Sequence, residues 1–412
     1  MTAGKSFEIS KREVWEAYQR VLANKGAPGS DGQSLDEFQI DLKGNLYKIW
    51  NRMSSGSYFP PPVRAVEIPK STGGVRVLGV PTVADRVAQT VVARRLEAVV
   101  EPKFHADSYG YRPGRSALDA VEVTRRRCWS SDWVLDLDIR SFFDTVDHDL
   151  LIKAVEANTD AAWVVLYVKR WLRAPLALPD GTLQARDRGT PQGSSVSPVL
   201  ANLFLHYAFD AWMARQYPAV RFERYVDDVV VHCVSERQAH ELRAAIGDRL
   251  GSVGLQLHPD KTQIVYCQDQ RRRADYERTS FTFLGYTFRS RAAQARNGDV
   301  FTGFGPAISK DALNRISRQA RRWRVDRRTG LTLEDLARYI NPIVRGWMQY
   351  YGAFNRSALY SFLQRINAYL VRWLSKKYRR LRGFKKVKAF WDAITTRCPR
   401  LFAHWAWIRT FW

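Results

Sequence analysis

Two adjacent carboxylates, Asp227 and Asp228, sit in the tetrad Tyr225-Val226-Asp227-Asp228 between the strand-like runs RFERY and VVVHCV. At a hairpin tip they repel one another and add nothing to an apolar core. A divalent cation removes that cost, and hard carboxylate oxygens suit Mg²⁺. The run WVLDLDIRSFFD puts Asp136 and Asp138 on one face of a strand by its period of two, with Asp138 at the end. Three carboxylates from two separate strands can hold two Mg²⁺ about 4 Å apart. Such a pair activates a 3′-hydroxyl and offsets the charge of a leaving pyrophosphate, the chemistry of nucleotidyl transfer. Plainer readings stand beside this one. An Asp-Asp pair in a turn is ordinarily only a turn, and Asp138 and Asp144 could cap the following helix. Asp144 fits a cap; Asp138, ahead of Phe142-Phe143, is placed for chemistry.

The elements around these residues mix helix and strand. Residues 1–50 read as helix, a Gly-rich loop KGAPGSDG (25–32) and helix again from Leu35; on composition alone the loop is a connector. Two short alternating strands around a Ser-Thr-Gly-Gly turn make a hairpin over 60–80. Thr82 and Asp85 form a capping box for a helix whose apolar face runs Val87, Val91, Val92, Leu96, Val99. After the loop HADSYGYRPGRSALDA come a helix over 116–128 and a strand over 133–139. Helices follow at roughly 147–174 and, after the Gly-Thr-Pro-Gln-Gly loop at 189–193, at 196–215. A second hairpin (221–234), a helix (236–253) and another hairpin (262–288) precede a helical region from about 308 to 380. Strands joined partly by helices and partly by hairpins place the chain in the α+β class.

Composition narrows the partner. The chain has 412 residues, 65 Lys+Arg against 41 Asp+Glu, and a net charge of +24. Residues 301–412 hold 24 basic and only 5 acidic residues, so this last quarter carries most of the field, together with 21 of the 52 aromatics. Most of those aromatics are expected in a core, but the charge surplus still calls for a polyanion, and Arg and Lys interleaved with rings suit nucleic acid. An anionic membrane surface fits less well, because no polybasic segment flanks an apolar anchor. No apolar run reaches membrane-span length, and the N-terminus lacks the apolar stretch of a secretory signal. An apolar content of 45% excludes a disordered basic tail. Cys128, Cys233, Cys267 and Cys398 are far apart with no C-x-x-C pair, which argues against a disulfide scaffold or zinc module and fits a reducing cytoplasm.

An ordered set of motifs carries a family resemblance: KGAPGSDG, IPKSTGGVRVLGVPTVADRVAQ, SYGYRPGRSALDAV, DIRSFFDTVDHDLL, GTPQGSSVSPVLANLFLHYAFD, YVDD, LHPDKTQ and FLGYTF. From about residue 20 onward the chain resembles a bacterial group II intron-encoded, or group II-like, reverse transcriptase. Residues 306–370, with NPIVRGWMQYYG inside, resemble that family's thumb or maturase-specific region. The resemblance implies a right-hand polymerase: an N-terminal extension over 1–60, fingers and palm over 61–295, a helical thumb/maturase-specific domain over 296–380, and a basic aromatic tail over 381–412. It implies that Asp138, Asp227 and Asp228, joined by the Ile139 carbonyl, are ligands for two Mg²⁺, with Mn²⁺ able to substitute. Lys70 and Arg76 match residues that hold the incoming dNTP triphosphate, a role for which a point charge and a forked donor are suited. Phe143 matches the aromatic gate beneath the sugar, one of Phe142 and Phe143 being core. Gln192 matches a residue near the nucleotide, and Lys261 a general acid or phosphate contact. Arg112 and Arg115 match positions against the template, Tyr225 and Val226 lie at the template–primer end, and KGAPGSDG matches a loop near template and primer.

Two departures stand out. The family usually has Ala where Val226 stands, and a β-branched residue stiffens the turn and adds bulk beside a primer terminus, which predicts an altered preference for how the 3′ end is presented. The His-Asn-His and paired-cysteine endonuclease segment of many relatives is not present up to Trp412, so second-strand cleavage by this chain is not expected. The expected activity is RNA-directed DNA polymerisation of the group II intron type, from a DNA or RNA 3′ end, with a maturase role in splicing and mobility of an intron RNA. The expected setting is a bacterial cytoplasm, at the nucleoid when DNA is the target. A free-standing enzyme of DNA repair or phage defence, and a non-catalytic RNA-binding splicing cofactor, are the other readings.

Overall fold

The computed structural model describes residues 5–69, 74–294 and 297–411. Its elements divide into two compact units. The first comprises Met1–Ser116, Leu135–Val231 and Arg237–Thr262; the second comprises Ala117–Val134, His232–Glu236 and Gln263–Trp412. Helix and strand are mixed in both, as the α+β reading expects.

The first unit opens with α1 (Lys11–Asn24), α2 (Leu35–Ile40) and α3 (Leu42–Ser54). Ser10 with Glu13, and Ser34 with Glu37, form reciprocal capping boxes that start the first two. The KGAPGSDG loop between them is bolted down. A Cβ at Gly29 would lie 2.5 Å from the Thr82 backbone, Ser30 Oγ donates to the Pro62 carbonyl at 2.6 Å, and Arg86 Nη2 donates to the Ala27 carbonyl at 3.0 Å. Strands β1 (Val63–Pro69) and β2 (Val75–Val80) pair antiparallel from Arg64↔Val80 to Pro69↔Val75. Short strands β4 (Leu176–Ala177) and β5 (Leu183–Gln184) extend this sheet in the order β2-β1-β4-β5.

Helix α4 (Val83–Val100) follows, and here the structure corrects the capping-box reading. Thr82 accepts from the Asp85 amide at 3.1 Å, but the Asp85 side chain turns into the core instead of back to the cap. The apolar face also shifts at its end: Val100 is buried and Val99 exposed.

A second sheet runs β6 (Arg221–Tyr225), β7 (Asp228–Cys233) and β3 (Trp133–Asp138), in that order. The long helices expected over 147–174 and 196–215 are both interrupted. The first becomes α7 (His148–Glu156) and α8 (Ala162–Arg173). The second becomes α9 (Ser197–Leu205), a π turn His206–Asp210 and α10 (Ala211–Gln216). A π turn shifts side-chain phase within a continuous rod, and this one presents Asp210 to a buried partner described below. The short α6 (Phe142–Thr145) follows β3, and α11 (Glu236–Gly251) follows β7.

In the second unit α5 (Ala117–Cys128) and β8 (Gln263–Tyr266) precede a sheet of β9 (Phe281–Phe283), β10 (Tyr286–Gln294) and β11 (Val300–Ile308) in the order β11-β10-β9. Strands β10 and β11 pair from Tyr286↔Ile308 to Gln294↔Val300; the expected boundary at 295/296 lies outside the described residues. Helices α12 (Lys310–Arg322), α13 (Leu333–Tyr351), α14 (Tyr360–Lys377) and α15 (Phe384–Arg397) complete the unit. The stretch expected as a tail, 381–412, is instead part of this core. Trp391, Phe402 and Trp405 are buried in it. Asn367 stitches it down, donating to the Thr410 carbonyl at 2.8 Å and accepting from Trp405 Nε1 at 3.0 Å. Among the described residues no helix is long and apolar enough to cross a membrane.

Candidate active site

Asp138 stands where β3 runs out. The backbone past it is held by the 256–258 segment: His258 N donates to the Asp138 carbonyl and Arg140 N to the Gln256 carbonyl, both at 2.8 Å. Ser141 then takes a left-handed conformation (φ +48°) and turns the chain into α6. Phe142 points into the core, while Phe143 is half-buried and lines a cleft. The Gly-Thr-Pro-Gln-Gly loop is fixed to this turn. Thr190 N donates to the Phe143 carbonyl at 2.7 Å, and Gly189 (φ +77°) packs so closely that a Cβ would lie 2.7 Å from that same oxygen. Gly79 N donates to the Gln192 carbonyl at 2.8 Å, which joins the end of β2 to the loop.

Asp227 and Asp228 occupy the β6–β7 turn beside it. The turn depends on a network that the motif reading missed. Arg224, fully buried, forks onto Asp210 (Nε–Oδ1 2.7 Å, Nη2–Oδ2 2.6 Å), while its Nη1 donates to Asn202 Oδ1 and to the Val226 carbonyl, both at 3.1 Å. Asn202 Nδ2 in turn donates to the Gly110 carbonyl at 2.7 Å. A guanidinium can be buried here because a carboxylate and two carbonyl-type oxygens take its protons. The signal available in the sequence was Glu223-Arg224, two charged residues in the middle of a strand that otherwise reads as buried.

The carboxylates act on one another. Burial raises Asp228 to about 7, with Asp227 and Asp138 adding to the rise and Lys261 and Arg76 opposing it. The Asp228 residue also reaches solvent, so water screens part of this repulsion. Burial also raises Asp227, with Asp138 adding, and holds Asp136 well above its ordinary value, with Asp228 and Asp138 adding. Lys261 Nζ sits 3.1 and 3.3 Å from the two Asp138 oxygens, an ammonium on a carboxylate at the cleft wall. Among the described residues no three His, Cys, Asp or Glu side chains are drawn tightly enough together to form a ready-made metal cage. The donor chemistry still fits a divalent cation: hard, anionic oxygens from two strands, mutually repelling, with cations already gathered at them.

One cleft of about 590 Å³ is lined by Arg76, Asp138, Ile139, Phe143, Gln192, Asp227 and Lys261, all singled out from the sequence. Arg140, Arg188 and His258 also line it and were not singled out. Tyr111 is a further addition: burial first, then Tyr225 and Asp227, raise its hydroxyl, which places it beside the carboxylates. Lys70 lies outside the described residues.

Other expectations change. Arg112 is buried and committed. It pairs with Glu101 at 2.8 Å and donates to the His105 and Ser108 carbonyls at 2.6 and 2.7 Å, so it braces the loop instead of facing a template. Arg115 is exposed, its guanidinium 5.6 Å from the Tyr109 ring centre. Val226, expected to add bulk beside a primer terminus, has its side chain buried against Gly110. It holds φ +62°, a strained conformation for a β-branched residue. Tyr225 is half-buried. Asp144 lies within α6, and the cap of α7 is Asp147, which accepts from Leu150 N at 2.8 Å.

Comparison with known proteins gives two family matches. The model for reverse transcriptase (RNA-dependent DNA polymerase) matches residues 68–288, and that for the group II intron maturase-specific domain matches residues 313–391. Protein YkfC of Escherichia coli (strain K12) is 32% identical over 325 residues, covering 68% of this chain and 82% of that protein. The putative COX1/OXI3 intron 1 protein of Saccharomyces cerevisiae is 25% identical over 324 residues (66% of this chain, 37% of that one). The group II intron-encoded protein LtrA of Lactococcus lactis subsp. cremoris is 29% identical over 257 residues (60% and 42%). The chain thus spans most of the first relative and less than half the length of the other two.

Proposed function

The chain belongs to the reverse transcriptases, RNA-directed DNA polymerases, and carries a group II intron maturase-specific domain; from this premise we propose that it extends a DNA or RNA primer on an RNA template by Mg²⁺-dependent nucleotidyl transfer. The observation that carries this reading is the single cleft lined by Asp138, Asp227, Arg76, Phe143, Gln192 and Lys261. Asp138, Asp227 and Asp228, with the Ile139 carbonyl, would hold two ions, which when bound lower the pKa of the primer 3′-hydroxyl and offset charge on the leaving pyrophosphate. The primer oxygen forms its bond to the α-phosphorus of a dNTP as the bond to pyrophosphate breaks. Arg76, exposed near the start of β2, offers a forked donor to the phosphates. Lys261 turns from Asp138 toward the departing pyrophosphate, as a phosphate contact or proton donor. Phe143, locked by the loop beneath it, meets the sugar where a 2′-hydroxyl would lie, and Gln192 lies beside the nucleotide. The catalytic carboxylates and the nucleotide contacts are thus presented by a braced turn and a braced loop, which is positioning before chemistry.

The second unit, with the maturase-specific domain and the most basic stretch of the chain, would bind a group II intron RNA and assist its splicing and mobility. We place this work in a bacterial cytoplasm, in keeping with four cysteines that form no disulfide. The test is primer extension on an RNA template with dNTPs and Mg²⁺, wild type beside Asp227→Ala/Asp228→Ala, with the co-purifying RNA sequenced. Extension should fall by about a thousandfold or more in the double variant. A wild type inert under every salt and metal condition would overturn the polymerase and leave an RNA-binding splicing cofactor. Bound intron RNA supports the maturase role, and its absence moves the enzyme toward repair or defence.

A further inference from the structure

The second unit contains a cavity of about 600 Å³ that none of the cleft residues enters. Its walls come from the C-terminal end of α13, the chain just after it, and the segment following α15. Three arginines line it, Arg345, Arg356 and Arg400, and no Asp or Glu does. Its apolar surface is supplied by Phe402 and Met348, both buried, and by the indole of Trp407.

This cavity is built, not incidental. The Arg356 guanidinium lies 5.1 Å from the Trp407 ring centre. The edge of that indole rests on bare backbone, since a Cβ at Gly352 would come within 2.3 Å of Trp407 Cη2. The segment that carries Trp407 is clamped to α13 by one side-chain amide: Asn341 Nδ2 donates to the Leu401 carbonyl at 2.9 Å, and Asn341 Oδ1 accepts from Ala403 N at 2.8 Å. An aromatic face, an apolar floor and uncompensated guanidiniums are therefore held in fixed relation.

We propose that this cavity takes an unpaired nucleotide of an RNA strand, the base against the half-buried Trp407 and the flanking phosphates on Arg345 and Arg400. The volume suits a small ligand with a flat apolar part. Forked guanidiniums favour phosphate, and a base finds its stacking partner in an indole or in the Arg356 plane. A duplex cannot use the site, because its bases are stacked and its edges lie in grooves, whereas a loop or bulge can splay one base outward. Gln349 at the rim is the one uncharged side chain with both a donor and an acceptor for a base edge. The choice of RNA rests on the function proposed above. The recognition itself rests only on this cavity.

The test uses the full chain. Anisotropy titrations compare a labelled unpaired RNA of about twelve nucleotides with a labelled RNA duplex of equal charge, for wild type, Arg345→Ala/Arg400→Ala and Trp407→Leu. Both arginines are exposed, so their removal does not disturb the core. The arginine variant should bind the unpaired RNA about tenfold or more weakly, with a salt slope reduced by about one, while duplex affinity stays within about twofold. Trp407→Leu should bind the unpaired RNA about tenfold or more weakly and leave the salt slope unchanged, because stacking carries no counterion release. Extension of a pre-annealed primer–template should match wild type in the arginine variant. Equal weakening toward both RNAs would show a diffuse basic face and overturn the proposal, as would unchanged binding by both variants. An inert wild-type polymerase that still shows the selective loss would refute the proposed function and leave the cavity standing.

Discussion

Replacing Asp85 by Asn should flatten one component of the pH dependence of stability. Asp85 is fully buried at the start of α4. Its Oδ1 accepts from Tyr58 Oη at 2.9 Å and Trp171 Nε1 at 2.7 Å, and its Oδ2 accepts from Gln89 Nε2 at 2.9 Å. Three donors and no cation surround it. Burial raises the acid from 3.8 to about 6, and the three hydrogen bonds stop the rise there. A folded pKa above the unfolded value means that the folded state binds more protons between pH 4 and 6. Stability therefore falls as pH rises through that window and is level above it. A shift of about two units corresponds to roughly 3 kcal/mol. Asn cannot ionise, so its stability lacks this fall. It does turn an NH₂ toward the Gln89 NH₂, a cost of about 1–3 kcal/mol that is the same at every pH. Equilibrium urea unfolding of the two proteins at matched pH values from 4 to 8 isolates the effect, since all other titrating groups are shared. The stability advantage of wild type should shrink by about 3 kcal/mol between pH 4 and 7. Parallel curves would refute the assignment of an ionised, three-donor Asp85 at neutral pH.

Gly110→Ala should displace the catalytic turn, because its Cβ would lie 2.6 Å from Val226 Cγ2 and 2.8 Å from Val226 N, at a cost of about 1–3 kcal/mol and most of the extension activity. Adding Val226→Ala should restore part of each and no more, since the backbone contact remains; full rescue would contradict the geometry. Arg224→Met leaves the Asp210 carboxyl buried without its guanidinium and should cost about 3–5 kcal/mol in urea unfolding. Arg224→Met/Asp210→Leu should recover most of that stability yet stay slow in extension, because the Val226 carbonyl still lacks its donor. Phe143→Ala should raise ribonucleotide incorporation relative to deoxynucleotide by about tenfold, read by competition in primer extension; an unchanged ratio would remove Phe143 from the sugar site.

The carboxylates were legible because their signal is local. A period of two puts Asp138 at a strand end, and an Asp-Asp pair between two apolar runs marks a hairpin tip. The same locality explains what was misread. Arg112 and Arg115 look alike in YRPGRS, yet one is locked to Glu101 and two carbonyls while the other faces solvent. Asp85 matches a capping box in sequence, but Tyr58 and Trp171, distant along the chain, offer its side chain better donors. Nothing in the tetrad announces that the Val226 side chain packs against Gly110, which lies far away along the chain.

What the amino-acid order determined by itself was the alternation of helix and strand, the carboxylates and their spacing, the concentration of positive charge after residue 300, and the family. All of these are properties of neighbours or of composition. Only the tertiary structure decided which polar groups are buried together: Arg224 with Asp210 and Asn202, Asp85 with Tyr58 and Trp171, and Asn367 with Thr410. The physical reason is the cost of burying an unpaired polar group. It obliges each to find a partner without saying where in the chain that partner lies, and only the packed fold brings the two ends of each pair to hydrogen-bond distance.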